Sequence, residues 1–276
     1  MRPVKRCAAL LLFCGMAVIP FTGVVLAQDD SRDEPDDVVP ARPGISNPAE
    51  FQKPGMLQLE LGYEADFHSS DLKVGQDMPL TLRFAVNKRL LLELDTDSPF
   101  SQTDRFNNTE TGAGDTEIGV QGVLQKENKT RPGMALAYYL KIPTASESKG
   151  LGSGRYDHTF IGLFSKTFGR TTVDFNAFYL LNGRTSRGGY ESSGQAALGI
   201  SQDVTRRFSL QEEISGHSRS DQDKGEMFML GAAAYKINRR LVVDGGMRFG
   251  LTPDTPRAGV FAGIVVGMAN LYKKHN

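Results

Sequence analysis

The chain has 276 residues, in which 32 lysines and arginines balance 32 aspartates and glutamates, so no basic excess favours nucleic acid as a partner. It contains 30 glycines, 13 prolines and no tryptophan, and 39% of its residues are hydrophobic. This composition is typical of a turn-rich, moderately polar protein and excludes a bundle of long apolar membrane helices.

Residues 1–27 have the pattern of a secretory signal peptide. Basic residues precede an apolar stretch from Ala8 to Val25, and Val25-Leu26-Ala27 fits a cleavage site before Gln28. The two cysteines, Cys7 and Cys14, both lie in this segment. We therefore expect an exported mature chain with no disulfide, no thiol nucleophile and no thiolate metal site.

Residues 28–54 predict an acidic, proline-rich leader. Aspartates and glutamates crowd its first third, and prolines recur along its whole length. A segment of this composition buries too little apolar area to offset the entropy lost on ordering, so we expect it to be disordered and periplasmic.

From Gly55 onward the hydrophobic pattern has a period of two residues. In Met56–Ala65, leucines and Tyr63 alternate with polar residues and glycine, which places the two sets on opposite faces of a strand. Two further alternating runs, at 80–86 and 90–95, are joined by Asn87-Lys88-Arg89 and predict a hairpin.

The same rhythm continues to the C-terminus with short and long connections in turn. It predicts an all-β fold for residues 55–276: a closed up-and-down antiparallel transmembrane β-barrel of about 12 strands. An exported chain without an apolar helix crosses a bilayer only as a closed sheet, because open edges leave unpaired N–H and C=O groups in hydrocarbon. The predicted strands are 56–65, 80–86, 90–95, 115–125, 134–143, 157–168, 171–181, 194–203, 207–215, 226–237, 241–251 and 259–272.

Charged residues separate almost completely from the more apolar face of these strands, and Glu212 alone falls on it. A strand face in contact with lipid carries few charges, since a lysine or arginine near mid-bilayer destabilises the barrel by about 2–4 kcal/mol. Strands 157–168 and 259–272 carry apolar residues on both faces, so their registers stay open. The opposite face gives a hypothetical lumen lining: Glu60, Glu64, Arg83, Glu93, Asp95, Asp115, Glu117, Tyr139, Lys141, Phe164, Lys166, Asp174, Phe178, Asp244 and Arg248.

Four short motifs carry a resemblance to a known family. They are Gly112-Ala113-Gly114-Asp115, Lys141-Ile142-Pro143-Thr144, the glycine-rich Gly150–Gly154 followed by Tyr156 and Asp157, and Ser165-Lys166 before Phe168-Gly169. Over roughly 56–183 the chain resembles outer-membrane barrels associated with the meta-cleavage pathway of phenol degradation. The resemblance implies a barrel in the Gram-negative outer membrane that passes or binds hydrophobic or aromatic compounds.

The expected function is passive passage of small, hydrophobic or aromatic solutes, without covalent chemistry. One alternative is a structural or surface-interaction barrel with a plugged lumen, because paired charges of the inner face could fill a narrow bore. Another is a lipid-modifying acyl hydrolase that uses His217 beside a serine. The expected partners are outer-membrane lipid, the solute and the barrel-insertion machinery, with no nucleic acid.

The residues favour neither a cofactor nor a metal. The glycine-rich stretch Gly150–Gly154 is followed by a strand, whereas a phosphate-binding loop must open a helix. The four histidines are scattered without metal-ligand spacing.

Overall fold

The computed structural model describes residues 37–68, 72–97, 100–184, 188–219, 225–253 and 255–272. In these residues fifteen strands form one antiparallel sheet. The strands are β1 (Met56–Phe67), β2 (Leu72–Asp77), β3 (Pro79–Asn87), β4 (Leu90–Asp97), β5 (Phe100–Asp104), β6 (Thr109–Gly112), β7 (Thr116–Gln125), β8 (Gly133–Ile142), β9 (Asp157–Phe168), β10 (Thr171–Gly183), β11 (Tyr190–Asp203), β12 (Phe208–His217), β13 (Glu226–Asn238), β14 (Leu241–Gly250) and β15 (Ala258–Asn270).

The sheet closes on itself, because β15 pairs with β1 over the whole length of both strands. Twelve strands form the ring: β1, β3, β4 and β7–β15. The remaining three, β2, β5 and β6, lengthen β3, β4 and β7 beyond the ring. For example, β1 pairs with β3 through Leu57–Leu61 and with β2 through Glu64–Phe67. The predicted closed antiparallel barrel of twelve strands is thus confirmed.

The three short strands are the part of the sheet that the sequence pattern missed. The predicted strands leave residues 66–77 and 97–114 as two of the long connections. The sequences of β2, β5 and β6 are LKVGQD, FSQTD and TETG, which are short and largely polar. They lie beyond the apolar part of the ring, so no lipid-facing alternation marks them.

Burial alternates along each ring strand and identifies the two faces of the wall. In β7, Gln121 is 1% exposed, whereas Ile118 is 50% exposed. The exposed set in the ring is mainly leucine, isoleucine, methionine and aromatic residues, as a lipid-facing surface requires. Glu212 is exposed while Glu213 is buried, so Glu212 does lie on the outer face.

Helical structure in the described part of the chain is limited to one 3-10 turn, Glu147–Lys149. No described helix is long and apolar enough to cross a bilayer.

Candidate functional site: the interior of the barrel

The interior is occupied by residues 37–54, which we call the luminal segment. It enters at the end of the barrel where the connections are short. There the Val38 amide donates to the Arg239 carbonyl at 3.0 Å, and Lys236 Nζ lies 3.0 Å from Asp37 Oδ2. The Val38 side chain packs against Met56, Val242 and Val265 of the wall. The sequence predicts this segment as flexible, whereas the structure holds it against the inner wall; residues 1–36 lie outside the described residues.

Polar side chains of β1 bind the first part of the luminal segment. Gln58 accepts a hydrogen bond from the Val39 amide at 3.0 Å and donates one to the Val39 carbonyl at 2.8 Å. Glu60 accepts from the Ala41 amide at 3.1 Å. The backbone of the segment is therefore held by side chains of the wall.

The middle of the luminal segment crosses the bore to the opposite wall. Glu213 on β12 accepts hydrogen bonds from the Ile45 amide at 2.9 Å, the Ser46 amide at 2.8 Å and Ser46 Oγ at 2.5 Å. Asn176 on β10 accepts from the Asn47 amide at 2.5 Å and donates to the Asn47 carbonyl at 3.0 Å. Both contacts use buried wall residues.

The last part of the segment returns along β9, β7 and β3. The Ala49 amide donates to Ser165 Oγ at 2.7 Å, and Gln121 donates to the Ala49 carbonyl at 3.1 Å. Gln52 then donates to the Arg83 carbonyl at 3.2 Å. Contacts with β1, β12, β10, β9, β7 and β3 thus surround the bore, and the segment obstructs its short-turn half.

A buried ion-pair cluster supports the segment from the wall. Arg83 is fully buried and lies 3.3 Å from Glu60 and 2.5 Å from Glu93. It also donates to the Val39 carbonyl at 2.8 Å, and the Tyr139 hydroxyl donates to Glu93. A charge this deep needs such partners, because an unpaired buried ion is strongly destabilising.

Two further ion-pair clusters lie nearer the long-loop end. Arg248 contacts Glu64 at 3.1 Å and also Asp66, where its Nε donates at 2.8 Å. Lys141 lies 3.3 Å from Asp115 and also contacts Asp157. Asp115 in addition accepts from the backbone amide of Ala145, which ties the 143–156 loop to the barrel.

Apolar side chains form two inner patches beside these charges. One comprises Ala135, Ala137, Tyr139, Ile161 and Leu163 with Phe178, and Ala49 of the luminal segment packs on it. The other comprises Leu230, Ala232 and Phe261. Near it the Arg248 guanidinium lies 5.7 Å from the centre of the Phe228 ring. The inner surface therefore combines paired charges with aromatic contact area.

The structure places the predicted lumen-lining residues on the inner face of the wall, except for Phe164 and Lys166. Phe164 is 38% exposed and its ring packs 6.2 Å from that of Phe175 on the outside. Lys166 shares this face and binds Glu127 in the turn after β7 at 3.2 Å. Phe160, which the same register would turn inward, is also exposed.

The register of β9 was ambiguous because the strand is apolar on both faces. Ile161 and Leu163 are buried at 7% and 1% exposure. Both side chains face the lumen, where Ala49 of the luminal segment packs against them. An inner face that packs against a chain segment can be as apolar as a face that contacts lipid, so apolarity does not distinguish the two sides of this strand.

Among the described residues, His217 and His158 do not form the hydrolase arrangement that the sequence leaves open as one alternative. His217 shares the inner face of β12 with Glu213 and Ser215, away from the lipid-facing surface. His158 does lie outside, but its ring nitrogens bond the hydroxyls of Tyr138 at 2.8 Å and Tyr190 at 3.1 Å. Within the described ranges no group of three or more His, Cys, Asp or Glu is placed to hold a metal ion.

A family model described as "Putative MetA-pathway of phenol degradation" matches residues 41–266, which is most of the chain. The chain belongs to this family. The match begins inside the luminal segment and ends in β15, so it includes the segment's crossing as well as the ring. No curated protein sequence matches the chain.

Solved structures support the same class of barrel. An outer membrane channel from Pseudomonas putida F1 is similar with a TM-score of 0.64 at 15% identity, over 82% of this chain and 99% of the other. The NanC porin is similar with a TM-score of 0.54 at 7% identity, over 77% of this chain and 99% of the other. At these identities the likeness shows the fold, an outer-membrane type of β-barrel.

Proposed function

We propose that the protein is an outer-membrane channel through which small hydrophobic or aromatic solutes diffuse, and that the luminal segment controls the opening of its bore. The observation that carries the proposal is the inner surface itself. Phe178, Phe228, Leu230 and Phe261 offer apolar and aromatic contact, with ion-paired charges close by. Binding sites for such solutes are commonly apolar surfaces with a few polar groups that orient the ligand.

The family description gives the solute class additional support, because phenol is a small aromatic compound. No step of the proposal involves covalent chemistry. In this proposal the short turns and the luminal segment face the periplasm, as in barrels with short periplasmic turns and longer outer loops. The long-loop end would then receive the solute from outside the cell.

The luminal segment favours a second candidate, a barrel that stays closed and has a structural role. Its hydrogen bonds reach strands on several sides of the bore, so a solute cannot cross the short-turn half without displacing part of it. The two candidates differ in whether the segment leaves its position.

Flux into proteoliposomes that contain lipopolysaccharide distinguishes them. The probes are benzyl alcohol and arabitol, an aromatic and a polar solute of similar size, with wild type beside Glu213→Ala, which loses three bonds to the segment. Benzyl alcohol also crosses lipid unaided, so entry is measured as the excess over empty liposomes. The channel proposal expects this excess to be larger for benzyl alcohol than for arabitol, and to increase further in the variant. If neither protein passes either solute above the rate of empty liposomes, the closed structural barrel is the correct function.

A further inference from the structure

Arg42 of the luminal segment lies in a slot in the wall formed by β1, β14 and β15. Its Nε lies 3.4 Å from Asp244 Oδ2, and its Nη2 donates to the Ala262 carbonyl at 3.4 Å. Its Nη1 lies 3.9 Å from Glu64 Oε1. The slot therefore offers two carboxylates and a carbonyl to one flat cation.

Two glycines give the slot its shape. Gly62 and Gly263 are paired across β1 and β15, directly beneath the guanidinium group. A Cβ added at Gly62 would lie 2.1 Å from Arg42 Nη1, and one added at Gly263 would lie 2.3 Å from Nε. Any larger residue would collide with the cation, so these positions make room for a planar group against the backbone.

Arg42 leaves one carboxylate oxygen of this slot without a hydrogen bond. The Asp244 side chain is only 3% exposed, yet its Oδ1 is buried without a hydrogen-bond partner among the described residues. A buried carboxylate oxygen that lacks a donor is energetically costly, and native structures normally satisfy such atoms. The contacts of Arg42 with both carboxylates are also longer than the 2.7–2.9 Å typical of a strong charged hydrogen bond.

A cavity of about 220 Å³ adjoins the slot and gives access to Asp244. Val38, Pro40 and Arg42 line it on the side of the luminal segment. The wall side includes Asp244 and Gln211, whose Oε1 is a second buried acceptor without a described partner. Nearer the mouth the lining also contains Asp203 and three bases, Arg206, Arg207 and Lys236, of which Lys236 is paired with Asp37. Its lining continues to the exposed turn residues 205–207, so a small solute can enter from the short-turn end. At about 30 Å³ per water molecule, the volume accommodates a cation the size of methylguanidinium.

We propose that Asp244 and this slot form a binding site for small guanidinium or ammonium cations, with Arg42 as the resident cation. A solute cation entering through the cavity supplies donors to Asp244 and competes with Arg42 for it. Loss of the Arg42 contact then loosens the luminal segment. The inference goes beyond the proposed function, because it requires no flux of an aromatic solute and concerns cations only.

The test measures how often the luminal segment leaves the wall. Ala49→Cys provides the reporter, because Ala49 is fully buried and does not line the cavity, so a thiol there reacts with a maleimide only when the segment moves. Cys7 and Cys14, the two native cysteines, fall in the predicted signal peptide, and mass spectrometry of the purified protein checks that they have been removed. The purified barrel in lipid is titrated with methylguanidinium chloride, with sodium chloride as the salt control and urea as the neutral control of similar shape.

We expect methylguanidinium to raise the labelling rate about tenfold once its concentration is about ten times its Kd, as mass action requires. Sodium chloride and urea leave the rate unchanged. Adding Asp244→Asn raises the basal rate and abolishes the response to methylguanidinium. Adding Asp66→Asn, at an inward carboxylate that contacts Arg248 and not Arg42, preserves the response.

Three results would overturn the proposal: no effect of methylguanidinium, an equal effect of sodium chloride, or an unchanged response in Asp244→Asn. If Asp244→Asn does not fold, Gly263→Ala replaces it, because the added methyl group displaces Arg42 and leaves the carboxylate in place. A raised basal labelling rate is expected there, and a rate equal to that of the parent protein would contradict the slot.

Discussion

Removing the Glu213 carboxylate should release the luminal segment from the wall. Glu213 accepts three hydrogen bonds from Ile45 and Ser46, at 2.9, 2.8 and 2.5 Å. A hydrogen bond to a charged group contributes about 1.5–3 kcal/mol, and bonds that converge on one carboxylate are not additive. We therefore expect Glu213→Ala to cost about 2–4 kcal/mol at this contact, within the range for loss of a buried network.

Hydrogen exchange of the amides in 37–54 measures this cost, because exchange reports the free energy of local opening. At 1.36 kcal/mol per factor of ten, exchange should accelerate about 30- to 1,000-fold in Glu213→Ala. Glu212→Ala is the matched control, since Glu212 is the adjacent acid on the outer face. Exchange that is unchanged in Glu213→Ala, or equally accelerated in Glu212→Ala, would refute the assignment of Glu213 as the anchor of the crossing.

Three further predictions concern the wall. Arg83→Met leaves Glu60 and Glu93 buried without their cation and should lower the free energy of unfolding by about 3–5 kcal/mol. Urea unfolding in phospholipid measures this free energy. Adding Glu60→Gln and Glu93→Gln to the variant should restore part of the lost stability. Glu212→Leu removes a carboxylate from the lipid face and should raise the same free energy by about 1–2 kcal/mol, and a decrease would contradict the outward placement. Phe164→Arg should lower it by about 1–4 kcal/mol, whereas an unchanged value would mean that the side chain faces the lumen.

The sequence predicts the ring because its strands obey one simple physical rule. Each ring strand has one face toward hydrocarbon, which tolerates few charges, and the period of two residues fixes which side chains share that face. The period correctly places even Glu212, which lies on the outer face although it is charged. It gives no information about β2, β5 and β6, which extend past the lipid.

The luminal segment could not be predicted from its own composition. A segment of this composition is expected to be disordered when burial of its own apolar side chains is all that can order it. In the structure its backbone amides and carbonyls bind side chains of the wall, such as Gln58, Asn176 and Glu213. One signal was available: inward-facing glutamine and asparagine carry both donors and acceptors, so they can pair with the backbone of a chain that crosses the bore.

The luminal segment also explains why the register of β9 could not be predicted from the sequence. A lumen that contains a chain segment has an apolar contact of its own, here Ala49 against Ile161 and Leu163. Apolarity alone therefore predicts an inward position for Phe164 and Lys166, although both side chains face outward. Only the position of the luminal segment, which depends on contacts distant in sequence, decides between the two faces.

The most direct test of a channel controlled by the luminal segment is a disulfide that locks it in place. A Cβ at Gly199 would lie 3.0 Å from that of Ser46, so a shift of about 0.5 Å brings the two to the 3.5–4.5 Å that a disulfide requires, and Ser46→Cys with Gly199→Cys then joins the segment to β11. Benzyl alcohol entry into proteoliposomes is then measured with the pair oxidised and reduced. We predict that entry falls to the rate of empty liposomes in the oxidised protein and rises above that rate after reduction; equal entry in both states, above that of empty liposomes, would contradict control by the segment.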